Sequence, residues 1–110
     1  MFDNIYTKYE DTKMFISECN ANDVINVIKD AEKNGHLTAE LCAYMSKAYV
    51  FAYNNEMALH YALRSVELNP TYSYGYVRTA FAYARLGEPE NSLKYTRLAE
   101  IQIVMIIFLF

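Results

Sequence analysis

Apolar and polar positions along this chain recur with the period of a helix rather than a strand. Over residues 23–33, Val24, Ile25, Val27, Ile28 and Ala31 fall on one side, and Asp23, Lys29, Asp30 and Lys33 on the other. Residues 55–68 repeat the pattern with Met57, Ala58, Tyr61, Ala62 and Val66. Breakers interrupt it at Asn20–Asn22, Asn34-Gly35, Asn54-Asn55, Asn69-Pro70 and Gly87-Glu88-Pro89. The pattern predicts six helices, near 4–18, 22–34, 39–53, 56–68, 73–86 and 89–102. All the connections are short, so neighbouring helices are expected as antiparallel hairpins.

The punctuation fits those ends. Thr38, Asn55 and Ser73 are expected N-caps, because a side-chain oxygen there accepts from orphan backbone N–H groups. Gly35 and Gly87 suit the left-handed position that closes a helix. Pro70 stops its helix by forcing the preceding residue toward extended backbone. Pro89 fits a first turn, where the missing N–H costs nothing.

An internal repeat is the strongest signal. Segments starting at Ala39 and at Ser73 align without gaps: Ala48 falls on Ala82, Tyr49 on Tyr83, Glu56 on Glu90, Leu59 on Leu93 and Tyr61 on Tyr95. The last unit has Tyr76, Ala80, Tyr83, Gly87, Ser92 and Ala99 at its positions 4, 8, 11, 15, 20 and 27. The middle unit has Ser46, Tyr49, Ala58 and Ser65 at positions 8, 11, 20 and 27, and ends in Leu68-Asn69-Pro70. Small residues at 8, 20 and 27 allow close helix packing, and an aromatic at 11 fills the space between. A helix–turn–helix unit with this spacing and these residues resembles the tetratricopeptide repeat family, whose period is about 34 residues. The first unit, 5–38, is degenerate: Thr12 and Val24 hold small positions, and Cys19 stands at position 15, as Tyr53 does in the middle unit. The fold expected from this resemblance is a single all-α domain. It would be an α-solenoid of three repeats at 5–38, 39–72 and 73–102, followed by an apolar tail at 103–110.

The resemblance implies where a partner binds. In that family the first helix of each repeat lines a concave groove. Carried onto this chain, the groove residues are Tyr6, Tyr9 and Lys13 from the first unit and Tyr44, Lys47 and Phe51 from the second. The third unit supplies Tyr74, Arg78, Phe81 and Arg85. Glu10, Ile16, Glu40, Val50 and Val77 fall on the same surface. Tyrosine offers large contact area at low entropy cost, and arginine forks onto carboxylates. The expected ligand is an extended or helical peptide with apolar anchors and some acidic character. One family subtype clamps a C-terminal carboxylate with a set of Lys, Asn and Arg. Here its positions hold Tyr9, Lys13, Tyr44, Tyr74 and Arg78, of which only Arg78 fits, so that clamp is rejected.

Composition narrows the function further. In 110 residues, 54% hydrophobic and 21% charged, one core is affordable and a multidomain enzyme is excluded. A net charge of −3 gives no electrostatic footprint for nucleic acid, which is not an expected partner. The two cysteines, Cys19 and Cys42, match no metal or redox spacing and read as reduced thiols. The first residues lack a basic stretch followed by an apolar run, so a cytoplasmic protein without a signal peptide is expected. There is no Gly-rich phosphate loop, no HExxH and no nucleophile elbow. His36 and His60 read as solvated side chains, and Cys42 as a small buried hydrophobe. No catalytic residue, metal ligand or cofactor is expected. The expectation is a scaffold or adaptor for a protein or peptide partner.

The tail does not fit a solvated end. Ile103, Val104, Met105, Ile106, Ile107, Phe108, Leu109 and Phe110 carry no charge. The run is far shorter than the ~20 apolar residues a membrane span needs. It is expected either to fold back as a cap on the last repeat, or to belong to a fourth unit beginning at residue 107, whose core is completed in a longer array or by self-association through Ile103, Val104, Ile106, Ile107, Phe108 and Phe110. The alternative function is therefore a self-assembling or membrane-associated structural protein.

Overall fold

The structure, a computed structural model, describes residues 16–109. These form five helices and no strand: α1 (Ala21–Lys33), α2 (Ala39–Phe51), α3 (Asn55–Leu68), α4 (Ser73–Arg85) and α5 (Pro89–Leu109). The fold is all-α. Of the helix expected over 4–18, only 16–18 are described, and these are not helical. Ile16 is nonetheless buried against the core.

Backbone chemistry closes three of the turns in the same way. After α1, the His36 N–H donates to the Ala31 carbonyl and the Gly35 N–H to that of Glu32, with Gly35 at φ 75°. After α4, the Glu88 and Gly87 N–H groups reach Tyr83 and Ala84, with Gly87 at φ 76°. Both are Schellman closures, and both glycines stand where the sequence places them. The turn after α2 has the same bonds, but Tyr53 holds the left-handed position, at φ 60°. Pro89 opens α5 as expected, and α3 ends at Leu68, ahead of Pro70.

Two expected caps shift by one residue. The Thr38 hydroxyl does accept from the Leu41 N–H, at 3.1 Å. At α3, however, Asn54 rather than Asn55 is the cap, its carboxamide oxygen accepting from the Met57 N–H at 3.1 Å. At α4, Tyr72 precedes the helix without a side-chain cap, and Ser73 is its first residue.

Each helix packs on the next, and α2 also packs on α4. Val24 and Ile28 of α1 meet Leu41 and Met45 of α2 in a fully buried core. Burying each such side chain is worth about 1.5–3 kcal/mol. Ser65, near the end of α3, donates to the carbonyl of Ala39 at the start of α2, at 2.7 Å. That bond fixes the two helices as an antiparallel pair.

The repeat period is visible in the packing. Tyr49 and Tyr61 stack between α2 and α3 with ring centroids 5.7 Å apart and planes at 13°. Tyr83 and Tyr95 meet at 5.6 Å and 32° between α4 and α5. In the first pair, the Tyr61 hydroxyl also donates to the Glu32 carboxylate at 2.7 Å, tying α3 to α1. Between the hairpins, Gly75 gives α4 its close approach to α3. A Cβ there would lie 2.8 Å from the Ser65 Oγ.

The tail differs from expectation. It does not fold back as a cap; α5 continues without a break to Leu109. No glycine or proline follows Pro89, so nothing in the backbone ends the helix at 102. The side chains from Ile103 to Leu109 are all exposed. Among the described residues no helix is long and apolar enough to cross a membrane.

Candidate functional site

The side chains expected to form a groove come from the same set of repeat positions, once on α2 and once on α4. The contact of these two helices brings them together. A cleft of about 380 Å³ has Lys47, Val50 and Phe51 on one wall and Arg78, Phe81 and Arg85 on the other. Further along the same two helices, Tyr44 and Tyr74 face each other with centroids 5.7 Å apart. Tyr72 packs edge-on against Tyr74 at 6.2 Å. Of the expected groove residues, Tyr6, Tyr9 and Lys13 lie outside the described residues. The others all fall along this one face.

The two ends differ chemically. The tyrosine end is apolar with hydroxyl rims. Burial raises the Tyr72 hydroxyl well above its ordinary pKa, and nearby Tyr44, Glu40 and Tyr74 push the same way. That hydroxyl is a proton donor at any physiological pH. The other end is cationic over aromatic rings. The Arg78 guanidinium carbon lies 4.8 Å above the centre of the Phe81 ring. Phe81 itself is 43% exposed, and Arg85 is exposed.

Arg78 departs from the sequence expectation of an open cationic surface. It is only 8% exposed, and its Nε has no hydrogen-bond partner. Burial lowers its pKa from the ordinary guanidinium value, opposed by the adjacent Tyr74. Guanidinium nevertheless stays charged in proteins. The pattern Tyr74-Gly75-Tyr76-Val77-Arg78 reads as a polar face in sequence. In the fold, the Phe81 ring lies against the guanidinium itself, and the residue is buried in the wall of the cleft.

Two lining residues were not foreseen. Glu18 and Tyr53 close the cationic end, and the Tyr53 hydroxyl donates to the Glu18 carboxylate. That bond, with Glu18 as the first cause, raises the Tyr53 pKa. The signal for Tyr53 was present as a tyrosine in a glycine position of the repeat. Glu18 carried none: it ends the helix expected over 4–18, at a repeat position that the resemblance does not assign to the groove.

The residues considered for chemistry lie elsewhere. His60 is exposed, its ring edge-on to Tyr61 at 5.0 Å. His36 is half-buried rather than solvated, and its backbone closes the turn after α1. Cys42 is buried, and burial pushes its thiol up to about 12. At neutral pH that thiol is protonated and a poor nucleophile. Cys19 is a free, exposed thiol.

Compared with protein-family models, curated proteins and solved structures, the chain matches none.

Proposed function

We propose that this chain is a non-catalytic protein-interaction module, a short tetratricopeptide-like solenoid acting as a scaffold or adaptor. The six-helix, three-repeat reading belongs to this proposal, with residues 5–38 as its degenerate first unit. Its groove holds a partner segment between α2 and α4. The observation that carries the reading is the joining of Lys47, Arg78 and Arg85 with Phe51 and Phe81 in one cleft. A peptide carboxylate suits the cations, and an adjacent apolar side chain suits the rings. The Tyr44–Tyr74 pair extends the same surface for a second anchor. A groove this short supports micromolar affinity, about −8 kcal/mol.

The test uses labelled peptides with Asp or Glu beside Phe or Leu, and matched peptides with Lys in place of the acids. Fluorescence anisotropy should favour the acidic set. The double variant Tyr44→Ala/Phe81→Ala should weaken binding at least about tenfold, the loss expected of two aromatic anchors, with an unchanged helical spectrum. Equal binding of both peptide sets, or binding that the double variant leaves intact, overturns the reading.

A further inference from the structure

The period of the chain defines a second surface, on the α4–α5 side, which meets the groove at Phe81. α4 packs across the hairpin of α2 and α3, and beneath it Ala43, Ser46, Ala58, Ala62 and Ser65 are completely buried. The same positions one repeat later are Val77, Ala80, Ser92, Thr96 and Ala99. On α4 and α5 these line an open apolar cleft of about 410 Å³, with Phe81 and Ile103 at its edges. The fold therefore presents, unfilled, the seat that a helix occupies one repeat earlier. Small residues on its floor let a helix backbone come close.

The same chain carries a helix end with no seat. α5 has 21 residues where α4, its partner, has 13. Its last turns are uncharged and exposed on every side, from 44% at Ile103 to 84% at Phe108. A helix that is apolar all round is one that is surrounded. A helix lying in a lipid surface needs a charged or polar face, and residues 103–109 have none.

We propose that two copies of this chain pair through this face, the overhanging end of α5 in each copy lying in the α4–α5 cleft of the other. Antiparallel α5 helices crossing near Ile101 would set residues 103–109 of one copy along Ser92–Ala99 of its partner. One two-fold axis then fills both clefts and covers both ends, so the assembly closes at two. Val77, Phe81 and residues 103–109 expose on the order of 1,000 Å² per copy, against the ~800 Å² per partner of a standard stable interface.

The experiment is the solution mass of the full chain over a concentration series, by sedimentation equilibrium. The expected mass is twice 12.8 kDa. Ile107→Glu on the overhang and Val77→Glu on the cleft rim are both exposed helix positions, so neither should disturb folding. Each should weaken the dimer about 100-fold or more by placing a carboxylate in an apolar contact, with an unchanged circular dichroism spectrum. A monomeric wild type overturns the proposal. So does a dimer that both variants leave intact, or a mass that keeps growing with concentration. Loss of the dimer with Ile107→Glu alone overturns the cleft as the seat. A monomer that binds phosphatidylcholine vesicles would assign the overhang to lipid instead.

Discussion

Tyr53 and Gly87 occupy the same position of successive repeats and hold the same left-handed backbone, at φ 60° and 76°. Each ends a first helix of a hairpin with the same pair of main-chain bonds. For Tyr53 these run to Val50 at 3.0 Å and from Asn54 to Tyr49 at 2.9 Å. Glycine takes this conformation freely, whereas a Cβ there costs about 1–2 kcal/mol. What Tyr53 gains in return is limited, since its side chain is 72% exposed and bonded to Glu18.

Tyr53→Gly should therefore stabilise the fold, by about 0.5–1 kcal/mol once the added freedom of the unfolded chain is subtracted. Urea unfolding reads this directly. A loss of stability would mean that the bond to Glu18 outweighs the backbone strain, and Tyr53→Phe would then show the same loss.

Gly75→Ala should act in the opposite direction. Alanine favours a helix over glycine by about 1 kcal/mol. Its Cβ, however, meets the Ser65 Oγ at 2.8 Å and the Ser65 Cβ and Val66 Cγ2 at 3.4 Å. Overpacking of that kind costs about 1–3 kcal/mol. In a Ser65→Ala background the closest contact is gone, so the penalty should shrink. A double-mutant cycle measures the coupling, and additive effects would show that Ser65 is not the obstacle.

Alkaline pH should weaken the fold through Cys42. Its thiol ionises near 9.0 when exposed and at about 12 when folded, because burial opposes the thiolate. As pH rises, the unfolded chain loses its proton first. The stabilisation is thus complete below pH 9 and lost between 9 and 12. Tyr61 and Tyr72, both raised from 10.0 chiefly by burial, deepen the loss above pH 10. Urea midpoints of wild type and Cys42→Ala should differ by a constant amount up to pH 9 and drift in the variant's favour beyond it. At pH 8, iodoacetamide should label Cys19 in the native chain and both thiols after unfolding.

The helical hairpins were legible because their signals are local. Gly35 and Gly87 mark left-handed turns, Pro89 marks a first turn, and Tyr49 and Tyr83 share one role at one spacing. The expected groove residues from Tyr44 to Arg85 fall on the α2–α4 face, and Tyr6, Tyr9 and Lys13 lie outside the described residues. What the sequence hid depends on neighbours distant in the chain. Arg78 reads as a solvent-facing charge until Phe81 and the packing of α4 cover it. The length of α5 was missed for a different reason. The repeat period suggests an end at 102, but helix termination needs a residue that stops the backbone, and Ile103–Leu109 offers none. Asn54 and Asn55 illustrate the finest limit, since either can cap and only the turn geometry chooses.

The contact at Gly75 has a reach beyond its own position. Its neighbour Tyr74 faces Tyr44 across the groove at 5.7 Å, while Gly75 itself rests on Ser65 at the back. One missing methyl on the side of α4 that faces α3 thus bears on the spacing of Tyr74 and Tyr44 on the side that faces α2. On the proposed function, a change at Gly75, behind the groove, would still alter its grip, as a shim behind a jaw alters the jaw's bite.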